Sequence, residues 1–195
     1  MLSQISALWT KFIIGAAYNY QGVHSGEARW DITIAIPGFT YTKYSLITGV
    51  YYSLTYGIAA LFAGKLSDSF SRKKLLVTMS ILWNFTSYSN MLATNFSWLA
   101  IMRMCFGLFS AFSSPICYSL IADYFPANKR TLANACFTAA SFLGIALSTL
   151  SNILVGNLGW RYTYGVCGTY GFCVALIVLL FIQEPERGRF EPKKE

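Results

Sequence analysis

Six apolar runs, separated by short polar links, leave this chain few ways to fold. They lie at roughly residues 8–28, 45–66, 75–94, 98–121, 131–155 and 161–182. Each is about 20 residues or longer, enough for a helix to cross a hydrocarbon core of about 30 Å. Composition agrees: 55% of the residues are hydrophobic, 12% are charged, and the mean hydropathy is +0.46, whereas soluble domains carry about 25% charged residues. The expected fold class is an all-α polytopic membrane protein, with residues 1–183 forming a six-helix bundle and 184–195 a charged tail. Links this short make consecutive helices antiparallel neighbours.

The net charge of +7 sits in the links and tail rather than as a stripe on a polar domain, so it does not indicate nucleic acid. With alternating helices, ten basic residues fall on one side: Lys65, Arg72, Lys73, Lys74, Lys129, Arg130 and the four of the tail. Arg29, Lys43 and Arg161 fall on the other. Basic links collect in the cytoplasm, which predicts that both termini lie there; nothing in the pattern identifies the membrane. Trp30, Trp98 and Trp160 fall at the opposite interface, as an aromatic belt does. The five cysteines lie within apolar runs with no Cys-x-x-Cys pair, so neither a metal site nor a disulfide framework is expected. No cofactor is indicated.

The densest internal charge cluster runs Gly64-Lys65-Leu66-Ser67-Asp68-Ser69-Phe70-Ser71-Arg72-Lys73-Lys74. It resembles the signature loop between helices two and three of the major facilitator superfamily, with Gly64, Leu66, Asp68, Arg72 and Lys73 matching. Ser69 stands where that family has Arg, and Ser71 where it has Gly. Further motifs follow in order. Arg103-Met104-Cys105-Phe106-Gly107 is similar to the family's Arg-x-x-x-Gly on helix four. Asp123-Tyr124-Phe125-Pro126 with Arg130 resembles its link to helix five, Gly159-Trp160-Arg161 its entry to helix six, and Glu184-Pro185 the end of its first six-helix half. The helix-five antiporter signature is not matched, because Ser141-Phe142-Leu143-Gly144 lacks its Pro. Within the family, the link after helix four and the Glu-Pro ending are weakly similar to spinster-like lipid transporters.

Polar residues inside apolar spans are costly and so mark function. Tyr20, His24, Glu27 and Asp31 recur at spacings of 4, 3 and 4 along helix one, which predicts one face. Tyr52 on helix two, Ser110 and Ser114 on helix four, and Asn134, Thr138 and Ser141 on helix five form similar stripes. Helices one, two, four and five are therefore expected to line a polar cavity, with helix six toward lipid. The same stripes also suit helix–helix packing. His24 is the only histidine, and a lone histidine serves more often as a hydrogen-bonded packing residue than as a pH switch. Arg103 lies five residues past Trp98, about 7 Å into its span, and Glu27 and Asp31 enter from the same side as candidate partners. The resemblance implies a proton-coupling role for such an Arg–carboxylate pair; a structural ion pair is the other reading. Pro115 is expected to kink helix four.

The resemblance implies transport of a small organic molecule or lipid by alternating access, with Gly64, Asp68, Arg72 and Lys73 in a conformational-switch loop. It also implies a partner facing the polar stripes: a second six-helix half, another copy, or a larger membrane complex. A non-transporting scaffold subunit that keeps the fold is the alternative. An intramembrane enzyme ranks lower, since there is one His, no Gly-x-Ser-x-Gly and no metal-ligand cluster.

Overall fold

The first helix stops where its polar residues begin. In the computed structural model, which describes residues 1–19 and 26–185 and every side chain there except that of Asp68, α1 spans Leu2–Tyr18. Asn19 closes it, because both its backbone N–H and its side-chain Nδ2 donate to the Gly15 carbonyl. The helix thus lies earlier than the expected 8–28. Glu27 falls in a turn, and Asp31 caps the short α2, Ile32–Ala35. The helical periodicity expected through Glu27 and Asp31 is not realised. Tyr20 and His24 lie outside the described residues.

The second rod is continuous from α3, Tyr41–Ser45, through a π-helical turn, Leu46–Tyr51, to α4, Tyr52–Ser69. The third is α5, Arg72–Ser89, prolonged by a 3-10 turn at Asn90–Leu92. The fourth is broken into α6, Phe96–Ser110, and α7, Ser113–Tyr124. The break precedes Pro115, which has no N–H to offer the Ala111 carbonyl and crowds it. Two long helices complete the described chain: α8, Ala127–Leu158, and α9, Trp160–Phe181.

Among the described residues, four stretches are long and apolar enough to cross a membrane: Tyr41–Ser67, Phe96–Tyr124, Ala127–Leu158 and Trp160–Phe181. The other two rods are shorter or more polar for a visible reason. α5 carries Arg72, Lys73 and Lys74 in its first turn and buries Asn84, Thr86, Ser87 and Ser89. Its polarity faces protein rather than lipid.

α1 packs against α8 and α9, α5 lies between α6 and α9, and α4 packs on α6. Small residues let these backbones approach, as they do in membranes generally. A Cβ on Gly144 of α8 would stand 2.9 Å from that of Leu8 and 3.0 Å from the Ile5 carbonyl oxygen. Gly168 and Gly171 seat α9 against Tyr88 and Asn84 of α5 in the same way. Buried polar ties add direction: Ser6 Oγ donates to Asn84 Oδ1 at 3.0 Å, and Trp9 Nε1 to Ser151 Oγ at 2.7 Å. Such bonds are worth roughly 0.6–2 kcal/mol each in a membrane.

At the opposite end of the bundle, Trp160 is wholly buried and donates to the Ala28 carbonyl at 3.2 Å, while Trp30 donates to the Gly156 carbonyl at 3.1 Å. Trp160 therefore ties the α8–α9 corner to the segment after α1 rather than belonging to a belt at the interface.

Candidate functional site

The Arg-x-x-x-Gly spacing on α6 places Arg103 and Gly107 on one face, and that face meets Tyr52. Gly107 admits the α4 backbone: a Cβ there would lie 2.7 Å from the Tyr52 carbonyl oxygen and against the Thr55 hydroxyl. Arg103, only 6% exposed, holds its guanidinium carbon 5.3 Å from the centroid of the Tyr52 ring and 5.4 Å from that of Phe106. Tyr52 is the first residue of α4, immediately after the π turn. A π turn changes the register of the helix faces before and after it, and such turns recur at functional sites.

Arg103 donates from Nη2 to the Lys11 carbonyl at 2.5 Å and from Nη1 to the Thr10 carbonyl at 3.5 Å. A helical carbonyl retains a second lone pair for such a bond. The expected partnership with Glu27 or Asp31 is replaced by this arrangement. Asp31 Oδ1 accepts from the Thr33 N–H at 2.8 Å and from the Thr33 hydroxyl at 2.6 Å, and Glu27 is exposed. Since α1 ends at Tyr18, neither carboxylate rides on its face.

Lys11 emerges as a site residue that the polar stripes passed over. Its ammonium stands 4.6 Å from the Tyr52 ring centroid and 5.5 Å from that of Phe12. With Arg103 it makes up the two basic residues left out of the ten-against-three topology comparison, and that remainder was the available signal. Lys11 lies about 14 Å along α1 from Leu2 and about 10 Å from Tyr18, in the middle of that helix. A lysine at such depth costs about 2.5–3.5 kcal/mol unless solvated or paired.

Lys11 and Tyr52 open onto a pocket of about 280 Å³ between α1, α4 and the α6–α7 rod, where Gln4, Tyr56, Ser110 and Ser114 supply further polar groups. Three of the expected cavity residues, Tyr52, Ser110 and Ser114, are thus brought together. Asn134, Thr138 and Ser141 do not line this pocket. Thr138 is exposed and donates to the Asn134 carbonyl at 3.0 Å, satisfying its own helix. α8 is turned so that its close-packed line, Phe137, Ala140, Gly144, Ser151 and Val155, faces the bundle.

A second cluster ties three helix links together. Arg72 forms an ion pair with Asp123, with side chains 13% and 7% exposed, and reaches the Ser119 carbonyl at 3.4 Å. The Arg72 N–H donates to Glu184 Oε1 at 3.0 Å, and the Ser71 hydroxyl donates to the same carboxylate. A carboxylate there suits the positive end of α5. Ser71 also caps α5 by accepting from the Lys74 N–H at 3.4 Å. Arg130 donates to the Ala122 carbonyl at 2.9 Å and the Phe125 carbonyl at 3.1 Å. The loop after α4, the loop after α7 and the exit of α9 are thereby latched.

A Cβ on Gly64 would meet nothing within 4 Å. It lies exposed on α4. Lys73 is half-buried. Asp68 stands in the last turn of α4, and its side chain is outside the described set.

The chain matches the Major Facilitator Superfamily over residues 1–195. It is 30% identical over 135 residues to the Sphingosine-1-phosphate transporter SPNS2 of Danio rerio, covering 67% of this chain and 27% of that protein. It is 22% identical over 175 residues to the Niacin transporter NiaP of Acinetobacter baylyi, covering 88% and 39%. The solved structure of a bacterial homolog to the human lysosomal transporter Spinster, inward-facing and unoccupied, resembles all of this chain and 43% of its own with a TM-score of 0.75 at 21% identity. The chain spans less than half the length of each of these proteins.

Proposed function

Because the chain belongs to the major facilitator superfamily, we propose that it supplies one six-helix half of a transporter moving a small organic molecule or lipid by alternating access. It is an integral, multi-pass membrane protein, and its transporter-named relatives set aside the enzymatic rival. The observation that carries the reading is the polar pocket holding Lys11, Tyr52, Ser110 and Ser114 beside buried Arg103. A membrane interior would not retain that group of residues for packing alone, given the cost of the two charges.

The proposed half needs a facing surface. Within their 18-residue apolar portions, Tyr41–Ser67 and Ala127–Leu158 have only 22% of residues buried, against 50% for Phe96–Tyr124 and 44% for Trp160–Phe181. The two least-covered rods thus mark the faces that a second half would cover. That half belongs to the same polypeptide or another, to a second copy or to a larger assembly. In this reading the bundle comprises residues 1–183 and the tail 184–195, both termini are cytoplasmic, and Gly64, Asp68, Arg72 and Lys73 form the switching loop with the Arg72–Asp123 latch. Asp68→Asn then preserves the fold and impairs transport.

The scaffold alternative draws on Ser69 and Ser71, which stand where the signature loop has Arg and Gly. Native mass measurement in mild detergent, followed by uptake into proteoliposomes, separates the readings. The relatives' names make sphingosine-1-phosphate and niacin the first substrates to try. The expected active species contains a second six-helix half. A solitary six-helix monomer that transports would overturn the need for a facing half, and stable co-purification with unrelated subunits and no uptake would favour the scaffold.

A further inference from the structure

The pocket is unbalanced in charge. Among the described residues the Lys11 ammonium has neither a hydrogen bond nor an ion pair, only the Tyr52 and Phe12 rings. Arg103, buried behind it, shares the Tyr52 ring and donates to the carbonyl of Lys11 itself. Its Nε is buried without an acceptor. The described carboxylates are committed elsewhere: Asp123 to Arg72, Glu184 to the start of α5, and Asp31 to the cap of α2. Glu27 lies in an exposed turn after α1, away from the pocket's lining. Two positive charges therefore stand together in a span with no negative charge in the pocket wall, an arrangement the bilayer penalises.

An anion entering the pocket removes that imbalance. Gln4, Ser110 and Ser114 can donate hydrogen bonds to it, while Ala7, Leu8 and the tyrosine rings offer apolar contact to an attached body. At about 280 Å³ the space lies at the low end for ligand pockets, so it suits a compact charged head rather than a whole extended molecule.

We propose that this pocket binds the anionic head of an organic molecule, a carboxylate or a phosphate monoester, with Lys11 as its ion-pair partner and Arg103 as a fixed positive charge behind it. The proposal deepens the transport reading and rests on the same pocket. It gives Lys11 a role distinct from packing, because a neutral side chain of similar length fills the same volume without attracting an anion.

The test measures equilibrium binding by tryptophan fluorescence on the purified chain in mild detergent. The probes are benzoate, its neutral analogue benzamide, its cationic analogue benzylamine, and dodecyl phosphate. At least one of the two anions binds saturably; benzamide and benzylamine do not. Lys11→Gln weakens anion binding about tenfold or more, and Lys11→Arg retains it within about threefold. Saturation by benzoate assigns the site to small acids, and saturation by dodecyl phosphate alone assigns it to a lipid head. The proposal falls if neither anion saturates, if benzamide matches benzoate, or if folded Lys11→Gln binds as well as the parent. The benzoate–benzamide comparison uses the unaltered chain, so it stands even if Lys11→Gln fails to fold. Binding without uptake in proteoliposomes sinks the transport reading and leaves the anion site in place.

Discussion

Gly107 lies so close to Tyr52 that a methyl group on it would stand 2.7 Å from the Tyr52 carbonyl oxygen. The contact sets the distance between α4 and α6 and, through it, the position of the tyrosine ring that both Lys11 and Arg103 approach. Arg103 and Gly107 are therefore parts of one device, four residues apart on one helix face.

Gly107→Ala is expected to destabilise the protein by about 1–3 kcal/mol through overpacking. The obstacle is backbone, so no side-chain rotation relieves it. Thermal unfolding in detergent, followed by tryptophan fluorescence, checks this. An unchanged transition would mean that α4 and α6 separate at little cost.

The Arg72–Asp123 pair is expected to behave as a coupled unit. Removing either partner leaves a poorly exposed charge, which costs about 3–5 kcal/mol when fully buried and somewhat less at this exposure. The double variant Arg72→Ala/Asp123→Ala should lose at least about 1 kcal/mol less than the two singles summed. Additive losses in that cycle would show that the contact contributes no coupling.

Arg103 is expected to act through carbonyls rather than through a carboxylate. Arg103→Lys keeps the charge but not the planar fork that reaches both Thr10 and Lys11, and should cost about 1–3 kcal/mol for the unmet acceptor and lost packing. Arg103→Ala and Asp31→Asn should be additive within about 0.5 kcal/mol. A coupling above about 1 kcal/mol would restore the carboxylate pair.

Topology gives a fourth expectation. With basic links held inside, a cysteine placed at Ser71 should resist a membrane-impermeant maleimide in sealed cells and react once the membrane is opened. Labelling in sealed cells would place the latch outside.

Much of the architecture was legible from the chain alone, because lipid makes local composition decisive. An apolar run long enough to cross a bilayer has few alternatives to a helix, and the break before Pro115 follows from one missing donor. The pairing of Arg103 with Gly107 could also be read, since their spacing is a property of one helix. The site could not be completed in that way. Nothing local says that α1 ends at Tyr18, so Glu27 and Asp31 were assigned to a helical face that does not reach them. Nothing local turns α8 so that Gly144 meets Ile5 and Leu8 while Thr138 points outward. Above all, Lys11 looked like one basic residue in an apolar stretch until the tertiary fold set its ammonium beside the Tyr52 ring and gave its carbonyl to Arg103. Sequence spacing determines which residues share a helix face. Only the contacts between helices determine which faces meet, and in a membrane those contacts depend on close packing across distant parts of the chain.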